Sequence, residues 1–308
     1  HMFDIDRWRE IFESIRSNLL RTVLSGFTVA LGLFIFIVLF GIGTGLKNAF
    51  TEGFTRDAAN LISIFSGKTT IAYGGLQSDR QIILKNDDYE QTVKSDPAKM
   101  ESSTPRYSTN MTVKYGKESG SYQITGANPE EVIIENRKLT EGRYLSNRDL
   151  SLKQNVAVIG RMVQRDLIKD GSPVGKDLDI NGTFFKVIGV FSDDGGDFEE
   201  RVITVPITTL QQMKKGSDTV SSIYITYDSK LSPDQAIKYG DQLQKELKAK
   251  NKVSPDDENA IIVRNNAKNM GDTIQFLFII TLIVGFIGMG TLLAGIIGIS
   301  NIMVYIVK

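Results

Sequence analysis

The sequence predicts a membrane protein in which two transmembrane helices flank an α+β extracytoplasmic domain. Three observations predict it. Residues Thr22 to Leu46 are 25 in a row without a charge, and Thr273 to Val307 are another 35. The 226 residues between them, Lys47 to Asp272, are polar and carry short strand and hairpin patterns. Whole-chain averages conceal this layout. The 308 residues hold 36 Lys and Arg against 36 Asp and Glu, with mean hydropathy −0.10, values of an ordinary neutral soluble protein.

The first element is an amphipathic helix over Met2 to Leu20. Ile5, Trp8, Phe12, Ile15 and Leu19 recur at helical spacing and form one apolar stripe. Such a stripe joined to a span is expected to lie in the membrane interface, with Trp8 at headgroup level. The first span follows at 22–46. A bilayer core of about 30 Å needs about 20 helical residues, and the run is longer than a signal-peptide core. Arg7, Arg9, Arg16 and Arg21 precede it, against Lys47 and Arg56 just after. That bias puts residues 2–21 in the cytoplasm and the large domain outside. Gly41 and Gly45 in this span, and Gly290, Ala294 and Gly298 in the second, stand four residues apart. Small residues at that spacing are candidates for close helix packing in lipid.

Between the spans, Lys114–Tyr115 and Ser121–Gly126 read as a hairpin around Gly116–Gly120. Asp177–Ile180 and Thr183–Phe191 flank Asn181-Gly182, the strongest short hairpin signal. Asn155–Ile159, Val202–Val205, Ile223–Tyr227 and Ala260–Val263 read as strands, and Arg161–Lys169 as a helix. Ser232-Pro233-Asp234-Gln235 opens a helix to about Lys250 with a capping box and Pro at its first position. The second uncharged segment, at about 1.5 Å per residue, is too long for one bilayer core. With no strong breaker before Gly271, its helix is expected to project from the membrane as a stalk.

The composition excludes much chemistry. The chain has no Cys, and its one His is His1, in a His1-Met2 start that reads as a processing remnant. Disulfides, thiolate nucleophiles, Cys-ligated metals, Ser-His-Asp triads and His-metal sites are excluded. A zero net charge gives no case for nucleic acid. Gly171–Lys176 is one residue short of a phosphate-binding loop and is followed by Asp177, so it reads as a turn before a strand. Asp193, Asp194, Asp197, Glu199 and Glu200 could hold a hard cation but lack the EF-hand alternation, and read as a solvated loop. No catalytic, cofactor or metal residue is assigned.

A set of ordered motifs carries a resemblance. The opening Trp8-Arg9-Glu10-Ile11-Phe12-Glu13-Ser14-Ile15-Arg16-Ser17-Asn18-Leu19-Leu20-Arg21-Thr22 is one. Ile124-Thr125-Gly126-Ala127-Asn128-Pro129, Glu141-Gly142-Arg143-Tyr144 and Val156-Ala157-Val158-Ile159-Gly160 follow. Val174-Gly175-Lys176, Phe185-Lys186-Val187-Ile188-Gly189-Val190 and Val205-Pro206-Ile207-Thr208-Thr209 complete the set. In order and spacing it resembles the MacB-like, or FtsX-like, ABC transporter permeases over nearly the whole chain.

The resemblance implies an inner-membrane permease subunit of an efflux or export system, not itself an enzyme. ATP and Mg would be bound by a separate ABC ATPase. Its motion would pass through long helices to a periplasmic domain of two lobes, a porter-like base and an inserted lobe at about 139–215. A permease homodimer, membrane lipid, a periplasmic adaptor and an outer-membrane duct are the further implied partners. The family continues beyond the counterpart of Lys308 with a coupling segment and two more spans. The alternative reading of the topology is the ligand-sensing domain of a two-span signalling receptor.

Overall fold

The computed structural model describes the backbone of residues 2–54 and 58–307, with side chains at 4–14, 16–45 and 58–298. In chain order the elements are α1 (Met2–Phe54), β1 (Leu61–Ser66), β2 (Leu84–Lys85), α2 (Asn86–Lys94), β3 (Met100–Tyr115), β4 (Glu118–Ala127), α3 (Glu131–Ile134) and β5 (Lys138–Gly142). Then come α4 (Asn147–Ser151), β6 (Val156–Gly160), α5 (Arg161–Leu167), β7 (Asp177–Ile180), β8 (Thr183–Ser192), β9 (Val202–Pro206) and α6 (Ile207–Met213). The last are β10 (Thr219–Val220), β11 (Ser222–Tyr227), α7 (Pro233–Lys250), β12 (Ile261–Asn265) and α8 (Asn266–Val307). They form two compact units, one of the long helices up to Glu52 and from Asp272, the other of Gly53–Gly271.

In the helical unit, α1 has 53 residues and α8 has 42. Both are long and apolar enough to cross a membrane, over Asp4–Gly45 and Asn266–Gly298. α1 runs unbroken through Arg21, where the sequence reading separates an interface helix (2–21) from a span (22–46). Nothing in that stretch breaks a helix: it holds no proline, and its first glycine is Gly26. The side chains around the spans are left outward. Phe34 is 64% exposed and Phe286 82%, values that suit a lipid solvent and not water.

In the other unit, hydrogen-bonded strands run in the order β12-β1-β11-β3-β4-β9-β6-β8-β5, with β7 joining β3 to β8. Pairing is antiparallel except β4 with β9 and β6 with β8. The β7 link closes a ring, β3-β4-β9-β6-β8-β7 and back to β3. All six strands feed one core, including Val113, Ile124, Ile203, Ile159, Phe185 and Leu178, with Val163 and Leu210 from α5 and α6. Closure leaves those strands no unpaired edge. A second core lies under β1, β11 and β12 where α7 packs, around Ile62, Ile225, Tyr239 and Leu243.

β3 links the two cores. Its 16 residues pair with β11 over Met100–Arg106 and with β4 from Arg106 onward. Tyr107 packs against both cores. The ring takes β3 and β4 together with the strands of residues 139–215, and Gly53–Gly271 is one compact unit. The hairpin between β3 and β4 turns on Gly116-Lys117, with Gly116 at φ 57 and Tyr115 opposite Glu118, so its strands are longer than the sequence suggests. From Arg106 on, polar residues alternate with Tyr107, Met111 and Val113, but Glu101–Pro105 has no large apolar residue and so shows no hydrophobic alternation. The Asn181-Gly182 hairpin forms as expected, with both residues at positive φ, 50 and 90, as a type I′ turn requires. Ser232 caps α7 by accepting from the Gln235 amide, while the Gln235 side chain accepts from the Ser232 amide.

Candidate functional site

The strands β12, β1, β11 and β3 carry a ladder of side chains on one face. The Arg264 guanidinium lies 5.2 Å over the Phe65 ring, and Phe65 meets Tyr224 edge-on at 6.2 Å. Arg106 closes the row 4.6 Å over Tyr224. Each is a cation–π or aromatic contact between neighbouring strands. The row lines a cleft of about 330 Å³ that is also bounded by Glu135, Glu199 and Asn266. An adjoining cleft of about 560 Å³, lined by Asn110, Tyr122, Asp166 and Arg201, shares Gln123, Phe198 and Val202 with the first. Phe198 stands where the two meet and is 76% exposed. In the second cleft the Tyr122 hydroxyl donates to Asp166 at 3.2 Å; desolvation and that carboxylate push its pKa up to about 12.

Beside the first cleft lies a buried charge cluster. Arg137, with 1% of its side chain exposed, donates to Glu131 at 2.7 Å, to the Tyr144 hydroxyl at 3.0 Å and to Thr204 at 2.8 Å. Its guanidinium also lies 4.1 Å over the Phe191 ring and 3.9 Å from Asp193. Arg106 pairs with Glu135 at 3.4 Å. Carboxylate oxygens of Glu135, Asp193 and Glu199 fall within 4.8 Å of one another. Four carboxylates thus face two guanidiniums. Desolvation raises the pKa of Glu131 although both arginines lower it, and raises Glu199 with help from Glu135 and Asp193. Desolvation also works against the Arg137 charge, but Tyr144, Glu131 and Glu135 outweigh it and hold the group protonated.

Glu135, Asp193 and Glu199 are the described residues whose oxygens suit a hard cation, but Arg106 and Arg137 already supply positive charge to that spot. The chain has no Cys, and its one His is His1. The loop read as fully solvated is divided. Asp194, Gly195, Gly196 and Asp197 are exposed, while Asp193 and Glu199 turn toward the arginines and Glu200 is buried against Arg161. Acidic pairs such as Glu130-Glu131 and Asp256-Asp257 read from the sequence as solvated turns, but Glu131 and Asp257 are fully buried, Glu131 beside Arg137.

Against this geometry, the family model for the MacB-like periplasmic core domain matches residues 22–242. The chain belongs to that family. Among curated relatives, the macrolide export ATP-binding/permease protein MacB of Chlorobium phaeobacteroides is 26% identical over 221 residues, 70% of this chain and 33% of the relative. The MacB of Aggregatibacter actinomycetemcomitans is 24% identical over 291 residues, 92% of this chain and 44% of the relative. This MacB-like chain thus spans about a third of the length of the first of these relatives. Its fold is shared with the crystal structure of the periplasmic region of MacB from Actinobacillus actinomycetemcomitans, at TM-score 0.59 and 23% identity, covering 73% of this chain and 96% of that one. The extracellular domain of the noncanonic ABC-type transporter YknZ from Gram-positive bacteria matches at TM-score 0.55 and 18% identity, covering 67% and 100%.

Between α1 and α8 of this MacB-like chain, the close approaches are at Gly32, Gly288 and Gly295. A Cβ on Gly41, Gly45, Gly290 or Gly298 would meet nothing within 4 Å, and Ala294 is exposed. The seam between α1 and α8 runs through Gly32 against Thr291, Gly288 against Phe36 and Gly295 against Val29. Gly288 and Gly295 are seven residues apart, two helical turns, which keeps them on one face as in a coiled coil. On α1, Ile5, Trp8, Phe12 and Leu19 are each more than 60% exposed. The side chain of Ile15 lies outside the described residues.

Proposed function

We propose that this chain belongs to the permease subunit of an ABC-type export system, and that it carries motion from an ATPase in the cytoplasm into an extracytoplasmic domain. The N-terminus lies in the cytoplasm and residues 53–271 in the periplasm or its equivalent. The chain itself binds no nucleotide; a separate ATPase binds ATP and Mg and drives a permease homodimer. A periplasmic adaptor and an outer-membrane duct complete the path for an amphiphilic substrate taken from outside the membrane. The stripe of Ile5, Trp8, Phe12, Ile15 and Leu19 rests in the inner-leaflet interface, and Gly41, Gly45, Gly290, Ala294 and Gly298 face further helices.

One observation carries this reading: β12 ends at Asn265 and α8 begins at Asn266, so a 42-residue helix continues directly from a strand of the sheet. A helix keeps its length through its backbone hydrogen bonds, and β12, the edge strand, is hydrogen-bonded to β1, so displacement of its end is passed to β1. Family membership stands against the two-span receptor. The test is ATP turnover in lipid vesicles. The purified chain alone is expected to hydrolyse none, and the full-length permease with its ATPase to couple hydrolysis to substrate export. Hydrolysis by this chain without a partner would sink the reading.

A further inference from the structure

We infer that Asn265 is a positioning residue, a two-sided tether that fixes the root of α8 to α7 so that movement of α8 enters the sheet instead of being lost at the joint. The inference rests on the proposed function and names the residue on which transmission depends.

Asn265 is the last residue of β12, paired opposite Ile62 of β1, and is 7% exposed. Its amide is used on both sides. Oδ1 accepts from the Ala267 amide at 3.0 Å, the bond of a helix N-cap, because Ala267 is the second residue of α8. Nδ2 donates to the Ala236 carbonyl of α7 at 3.0 Å, and both bonds are buried. A Cβ on Gly240, one turn along α7, would stand 2.6 Å from that Nδ2, so the absence of a side chain at 240 admits the tether. The next residue adds a third tie: the Asn266 side chain donates to the Ala58 carbonyl at 3.2 Å, on the segment that leads into β1. The root of α8 is thereby bonded to α7 and to the approach to β1. An ordinary cap needs only the oxygen. Asp or Ser at 265 would cap α8 equally well, but neither could donate to Ala236 as the amide does.

The substitutions Asn265→Asp and Asn265→Ala separate the roles. The first keeps the cap and removes the donor, and the second removes both. The full-length permease is reconstituted with its ATPase in lipid vesicles, with spin labels on cysteines introduced at Asp241 of α7 and Lys268 of α8. Both sites are exposed, and the chain has no Cys of its own. The wild-type distance between the labels is expected to be narrow and unchanged through ATP turnover. Asn265→Asp is expected to broaden it and to lower substrate exported per ATP hydrolysed by about fivefold, the equilibrium weight of one typical hydrogen bond, while hydrolysis continues. Gly240→Ala is expected to do the same with Asn265 intact, which covers the case in which a variant at 265 fails to fold. An unchanged distance and export ratio in Asn265→Asp and Gly240→Ala overturns the inference, as does a wild-type distance that changes on ATP addition. If ATP drives no export in the wild type, the proposed function fails instead, and the label distances still decide the tether.

Discussion

The buried Arg137 shows how much one residue can hold. It donates to Glu131, Tyr144 and Thr204 at once, in a place where only 1% of its side chain meets solvent. Removing one member of a buried pair leaves an uncompensated charge, so Arg137→Met is expected to cost about 3 to 5 kcal/mol, and adding Glu131→Leu to recover most of it. Denaturant unfolding followed by circular dichroism measures both. The carboxylates divide by sign. Desolvation acts to raise Asp149 and Asp257, but hydrogen bonds hold both below the ordinary carboxylate value, from Arg143 and Ser146 on the first and from Thr70, Asn259 and Ile71 on the second. Their stabilisation is full above 3.8 and is lost as pH falls through their lowered values. Glu131 and Glu199 are raised, so their burial costs nothing well below 4.5 and takes stability away as pH rises above it. Asp257→Asn is therefore expected to flatten the acid limb of a stability–pH curve, and Glu199→Gln the descent above 4.5. The reverse assignment of the two limbs would refute the signs.

At the scale of elements, local signals were dependable wherever the chain itself closes the hydrogen bonds. The capping box at Ser232 and the Asn181-Gly182 turn are short-range devices, and both form where the sequence puts them. β1, β5 and most of β3 were not legible. β1 and β5 pair with strands distant in sequence, and the first half of β3, Glu101–Pro105, has no large apolar residue to show a period. The seam between α1 and α8 was not legible for a related reason. Small residues four apart are common in membrane helices, but contact is decided by which face meets the neighbour. Gly288→Leu would drive a side chain into Phe36 and is expected to separate α1 from α8, whereas Gly41→Leu would leave this pair in place. Cross-linking between cysteines at residues 29 and 295 in detergent distinguishes them: the first substitution should abolish the product and the second retain it.

For the whole molecule, a porter-like base with an independent lobe would unfold in two steps. The closed ring and the core under α7 instead share β3 and Tyr107. Residues 53–271 are therefore expected to unfold in one transition, with probes in each core reporting the same midpoint. Two separated midpoints would support an inserted lobe that folds on its own. The sequence by itself determined that two uncharged segments are long and apolar enough to cross a bilayer, because span length and the absence of charge are properties of the chain. It determined the caps and tight turns for the same local reason, and the ordered motifs pointed to the family. Only the tertiary structure decided that the strands close into a ring, that Arg106 and Arg137 meet four carboxylates, and that Asn265 joins α8 to α7. Each of those depends on residues tens of positions apart becoming neighbours, and pairing across such distances follows from packing the whole core, not from any local pattern.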